Sequence, residues 1–179
     1  MKKILLSTLV AGASVFAVSA HASGTINFDG ELVAQTCDTN VNGVPTPSIA
    51  TVSLPHVSVA ALTAAGQVAG QTRFTIGLNN CVGTLTTAAA YFENGATVHT
   101  SGRLINTAAA GAGNVQLQLV DSGSNAAIVA GDSSQRTNNT HGTIVGGALS
   151  LPYGVQYYAT GATTPGNVVS SVTYTIDYQ

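Results

Sequence analysis

Residues 168–178 alternate between two kinds of side chain. Val168, Val172, Tyr174, Ile176 and Tyr178 fall on one side, and Val169, Ser171, Thr173, Thr175 and Asp177 fall on the other. A period of two marks a half-buried β-strand. The run reaches to within one residue of Gln179, so no later strand in this sequence follows to cover its edge. A sandwich ending in this way is expected to leave an apolar groove beside unpaired backbone groups, which proteins ordinarily protect.

Similar runs occupy residues 25–36, 73–78, 115–120 and 149–160, with shorter ones at 49–54, 88–93, 96–100 and 126–129. Gly, Asn, Ser and Pro separate them, as turn chemistry requires. Asn94-Gly95 predicts a tight hairpin between 88–93 and 96–100, because both residues tolerate positive φ. Residues 59–70 are Ala-rich and read as one or two helical turns, while 108–113 and 133–142 read as exposed loops. With 23 Thr, 20 Val and 20 Gly but one Met and no Trp, the composition is that of an all-β chain. About eight strands and no linker predict one immunoglobulin-like β-sandwich.

Lys2 and Lys3 precede an apolar stretch over residues 4–18, and Ala20-His21-Ala22 has the small-x-small form of a cleavage site. Residues 1–22 therefore read as a secretory signal peptide. The apolar stretch is shorter than the ~20 residues of a membrane-spanning helix, so membrane insertion is not expected. Residues 23–179 would remain after cleavage, with three arginines against seven acids, a formal charge of −4. So few cations cannot line a nucleic-acid groove. In an exported chain Cys37 and Cys81 are expected to form a disulfide. Closing a loop of about 45 residues, it would contribute roughly 3–4 kcal/mol in the chain-entropy picture.

Catalytic signatures are missing. There is no G-x-S-x-G, no G-x-x-x-x-G-K-[ST] and no H-E-x-x-H. The glycine-rich stretches 111–113 and 142–147 do not fit a dinucleotide fingerprint. His56, His99 and His141 are scattered, and there is no C-x-x-C, so no metal and no cofactor are expected. Asn138-Asn139-Thr140 matches a glycosylation sequon and reads as a polar turn. The sequence thus predicts a non-enzymatic protein.

The other informative end begins Ser23-Gly24-Thr25-Ile26. Ile26, Phe28, Gly30 and Leu32 share one face of a strand, and Thr25, Asn27, Asp29 and Glu31 share the other. A spare strand at one end and an open groove at the other suit head-to-tail assembly, whose heterologous contacts generate filaments.

The sequence resembles the chaperone–usher fimbrial subunits, close to the type 1 pilin family, along essentially its whole length. Gly24 to Val33 resembles that family's N-terminal donor segment, and Arg73-Phe74-Thr75-Ile76-Gly77-Leu78-Asn79-Asn80-Cys81 resembles its strand carrying the second disulfide cysteine. Tyr157 to Gly161 and then Thr164-Pro165-Gly166 resemble the approach to its last strand. Gly166, fourteenth from the C-terminus, and the penultimate Tyr178 match its chaperone-recognition signature.

The resemblance implies an immunoglobulin-like sandwich lacking its last strand, residues 37–179, preceded by a donor-strand segment, residues 23–36. A periplasmic chaperone would lend the missing strand first. The donor segment of the next subunit, identical or related, would replace it at the outer-membrane usher. Ile26, Phe28 and Leu32 would fill pockets between Val172, Tyr174, Ile176 and Tyr178 of the neighbour, with Gly30 at a shallow one. The product would be a cell-surface fimbrium supporting adhesion. Few residues precede Ile26, so Gly24 would fall at the outermost pocket. The alternatives are a minor adaptor pilin, a secreted carbohydrate-binding sandwich, which the lack of Trp disfavours, and a small outer-membrane barrel, which short strands and few aromatics disfavour.

Overall fold

A computed structural model describes Asn27, Leu32, Ala34 and residues 36–179. The expectations for residues 1–22, Ile26, Phe28 and Gly30 lie outside the described residues. Val33–Gln179 forms one compact unit.

The period-two runs become strands wherever a partner lies alongside. In chain order the strands are β1 (Thr36–Val41), β2 (Val44–Pro45), β3 (Val68–Val82), β4 (Thr87–Phe92), β5 (Leu104–Ile105) and β6 (Val115–Asp121). Then come β7 (Ala127–Ile128), the short helix α1 (Gln135–Asn138), β8 (Gly142–Thr143), β9 (Leu149–Ala159) and β10 (Tyr174–Tyr178). One sheet has the order β2-β1-β3-β9-β6-β5, with β7 also paired to β6; the other has the order β10-β4-β8. All strand pairs are antiparallel.

The inward side chains of both sheets form one core. Phe74 and Ile76 come from β3, Leu117 and Leu119 from β6, Leu151 and Tyr153 from β9, and Ala90 and Phe92 from β4. The Tyr153 ring meets Phe92 edge-on, with centroids 5.1 Å apart. Its hydroxyl accepts a 2.8 Å hydrogen bond from the Ala90 amide and so ties the sheets together. Burial pushes the phenol up to about 12, against a smaller opposing effect of that hydrogen bond. Cys37 and Cys81 are disulfide-bonded, joining β1 to β3 where their register shifts.

Five expectations are corrected or narrowed. Asn94-Gly95 does not turn a hairpin, and neither residue has positive φ. The edges of β4 are already taken, by β10 on one side and by β8 and side chains on the other, so residues 96–100 cross to the larger sheet. There Val98 bridges Leu104 and the Ile105 amide donates to the Thr97 carbonyl. Residues 49–54 join no ladder. Residues 133–142 are not simply an exposed loop: they hold α1, and Gln135 and Asn139 are buried. Only Tyr174–Tyr178 of the last run pairs with β4, because β4 ends at Phe92. The helical turn expected within 59–70 is a single 3-10 turn, Val59–Ala61, and β3 begins at Val68.

Candidate functional site

Residues 167–179 build the wall of the site. The odd-numbered residues direct their peptide groups toward β4 and the adjoining loops. Thr87 and Gln179 exchange two backbone hydrogen bonds of 2.9 Å, and the Glu93 amide donates to the Thr173 carbonyl. Thr97 Oγ1 donates to the Ser171 carbonyl at 2.6 Å, and the Val169 amide donates to Asn106 Oδ1 at 3.0 Å. In an extended chain successive peptide groups point to opposite edges. Those of Val168, Ser170, Val172, Tyr174, Ile176 and Tyr178 therefore point away from β4. Among the described residues no strand pairs with them.

The side chains follow the same alternation. Val168, Val172, Tyr174 and Ile176 pack against the core, yet each is only half-buried. Tyr178 is also half-buried, which raises its phenol above the ordinary range. By contrast Leu117 and Leu119 of β6 are 5% and 2% exposed. The inner face of β10 thus lacks a layer of cover that the rest of the core has.

Segment 49–57 faces this wall at its Val168 end, where Thr51, Val52, Leu54 and Val57 line the other side of a cleft. Ala50, Val52 and Leu54 are half-buried while Thr51 and Ser53 face out, so the alternation is that of a strand without a ladder. Val52 and Leu54 also touch the core. At the Val168 end the two walls enclose a cleft of about 690 Å³, closed below by Leu62, Val115 and Tyr157.

Gly166 sits at this end with φ +155°. A Cβ there would stand 2.6 Å from the carbonyl carbon of Gly111 and closer still to the Ala112 amide nitrogen. Glycine is needed because two backbones meet. Segment 49–57 and Leu62 are site residues that the sequence reading missed as such. Their only signal was the alternation at Ala50, Val52 and Leu54, which marks a strand but not its unpaired edge.

The other sequence-predicted residues separate. Leu32 is fully exposed, and Cys37 and Cys81 brace β1 on β3 in the larger sheet. Among the described residues no group of three His, Cys, Asp or Glu could hold a metal ion, and no helix is long and apolar enough to cross a membrane.

Residues 54–179 match the family model described as type-1 fimbrial protein, A. The F17 fimbrial protein of Escherichia coli is 40% identical over 185 residues, covering all of both chains. The chain belongs to the type-1 fimbrial protein family. A major fimbrial subunit of Stenotrophomonas maltophilia, SMF-1, is 43% identical over 162 residues, 88% of this chain and 93% of that one. The rod subunit of the P pilus, PapA, shares the fold with a TM-score of 0.58 at 16% identity, covering 79% of this chain and 99% of that one. As a type-1 fimbrial protein, the chain is a structural subunit that polymerises with other pilin subunits into a cell-surface fimbria, and it is not an enzyme.

Proposed function

We propose that this subunit polymerises by donor-strand exchange, residues 23–36 of one copy filling the groove between β10 and segment 49–57 of the next. The observation that carries the reading is the bare edge of β10. Its outward peptide groups and half-buried face offer an incoming strand main-chain hydrogen bonds and apolar contact together. Ile26, Phe28 and Leu32 supply the apolar side chains of that strand, and Gly30 marks a close approach. Burying the three contributes roughly 5–9 kcal/mol before the cost of ordering the segment.

Residues 1–22 direct export to the periplasm. There a chaperone occupies the same groove, guided by Gly166 and Tyr178, until the outer-membrane usher exchanges it for the next subunit. Similarity over 88% of this chain to a protein named as a major fimbrial subunit supports a role in the shaft. The test is a Phe28→Asp variant of the full chain in cells carrying its chaperone and usher. Electron microscopy should show no fibres while the periplasmic chaperone complex persists. Normal fibres would overturn the assignment.

A further inference from the structure

The sequence holds two Asn-Gly pairs, Asn42-Gly43 and Asn94-Gly95, and the fold treats them differently. Glycine after asparagine leaves the next peptide nitrogen with no side chain to screen it. Asn42-Gly43 is the tight turn between β1 and β2, with φ of 49° and 81°. There the Thr75 amide of β3 donates to Asn42 Oδ1 at 2.8 Å, and the Gly43 amide donates to Asn40 Oδ1 at 3.0 Å. Side chain and peptide nitrogen are each tied to a different group.

Asn94-Gly95 follows β4 in an exposed stretch. Here the Gly95 amide donates to Asn94 Oδ1 itself, at 3.0 Å. A Cβ on Gly95 would meet nothing within 4 Å beyond its chain neighbours, so solvent reaches the pair. The peptide nitrogen and the side-chain carboxamide are held together in the open, the proximity that an intramolecular attack requires.

We propose that Asn94 is a site of spontaneous deamidation, a modification that Asn42 resists, and that the change loosens the wall formed by residues 167–179. Solvent base takes the Gly95 amide proton. The nitrogen then bonds to Asn94 Cγ, the Cγ–Nδ2 bond breaks, and Nδ2 leaves as ammonia with a proton returned by solvent. A cyclic imide remains. Water adds to one imide carbonyl and one C–N bond opens. Opening at Cγ gives aspartate. Opening at the main-chain carbonyl carbon gives isoaspartate, whose main chain runs through Cβ and Cγ and is one atom longer. Nothing is oxidised or reduced. The insertion falls between two ties to the wall, the Glu93 amide on the Thr173 carbonyl at 2.9 Å and Thr97 Oγ1 on the Ser171 carbonyl at 2.6 Å. Glu93 Oε1 also accepts from Thr175 Oγ1 at 2.7 Å. The added atom puts these ties out of register. The consequence for the fibre rests on the reading of this wall as the side of the groove.

The test uses purified fimbriae of the full chain, aged in warm neutral buffer, then reduced and digested. Trypsin cuts after Arg73 and Arg103 and so places Asn42 and Asn94 on separate peptides. Mass spectrometry should find aspartate and isoaspartate at position 94 and intact asparagine at position 42. Asn94 left intact, or Asn42 converted as fast, would overturn the site. Gly95→Ala has room for its Cβ and no positive φ, so it should fold normally and lose the conversion. Conversion at the wild-type rate in that variant would also overturn the site. Calorimetry reads the consequence. Aged wild-type fimbriae should melt about 2–4 °C below fresh ones, with no such fall in Gly95→Ala. Converted fimbriae that melt with fresh ones would overturn the loosening. The two readings fail separately: without strand donation Phe28→Asp still makes fibres, whereas without deamidation those fibres stay absent and Asn94 stays intact.

Discussion

The sheet β10-β4-β8 has two edges, and the molecule treats them in opposite ways. Along β4 the peptide groups turned away from β10 are taken by β8 at one end and, beyond it, by side chains and the Gly131 amide. Gln135 accepts from the Phe92 amide at 2.9 Å and donates to its carbonyl at 3.0 Å. Asn139 donates to the Ala90 carbonyl at 3.1 Å, and Tyr153 accepts from the Ala90 amide. Gln135 and Asn139 are 2% and 6% exposed, so the two amides replace a strand inside the core. Along β10 the corresponding groups meet neither strand nor side-chain cap among the described residues. Unpaired peptide groups in a sheet edge invite association, and proteins close them. A chain that spends buried amides on one edge and leaves the other bare is selective about where a strand can be added.

Filling the bare edge should give the largest effect. A synthetic peptide of residues 24–35 added to residues 36–179 should raise Tm by roughly 15–30 °C, from the apolar burial and the temperature equivalence of stability in a domain of this size. An unchanged melt would make the two edges equivalent and break the comparison. Opening the capped edge comes next. Gln135→Leu strands the Phe92 amide in the core, while the Phe92 carbonyl keeps the Gly131 amide as a donor, and should cost about 1–3 kcal/mol, measured by urea unfolding.

A paired substitution sharpens the contrast between the faces behind the edges. Leu119→Ala should cost about 2–5 kcal/mol whether or not a donor strand is present. Ile176→Ala should cost clearly less in the uncomplemented domain and approach that range once the peptide is bound. The smallest effect belongs to the link between the sheets. Tyr153→Phe should cost about 1–2 kcal/mol at neutral pH. Because the native phenol is pushed above its ordinary value, the neutral form stabilises the fold below about pH 10, and that contribution fades as pH rises toward 12. The variant should lose part of that alkaline decline in a pH series of unfolding curves.

The alternation of residues 168–178 and 115–120 was legible because it is local: side-chain direction in a strand follows from position alone. The all-β sandwich and the disulfide followed from equally local signals, composition and an export segment. What pairs with what is not local. Residues 96–100 carry a good hairpin signal, but whether a hairpin forms depends on the edges of β4 being free. Gln135 and Asn139 look like loop residues because their partners, Phe92 and Ala90, lie 43 and 49 positions away. Gly166 was marked by resemblance, and the structure adds a reason within the fold, its contact with the backbone at Gly111 and Ala112. Segment 49–57 kept its strand pattern, yet its unpaired edge could be seen only in three dimensions.

The placement of the disulfide has a mechanical consequence. Under strand donation, tension along a fibre enters each subunit through the residues just before Cys37. The covalent link passes that pull directly to Cys81 at the end of β3, the longest strand, which is paired along its length with β1 and β9. Hydrogen bonds loaded side by side along a strand share a force, whereas bonds at a free end break one after another. The first strand is thus shielded from peeling, and the load falls on the junction between subunits before it reaches the fold within them.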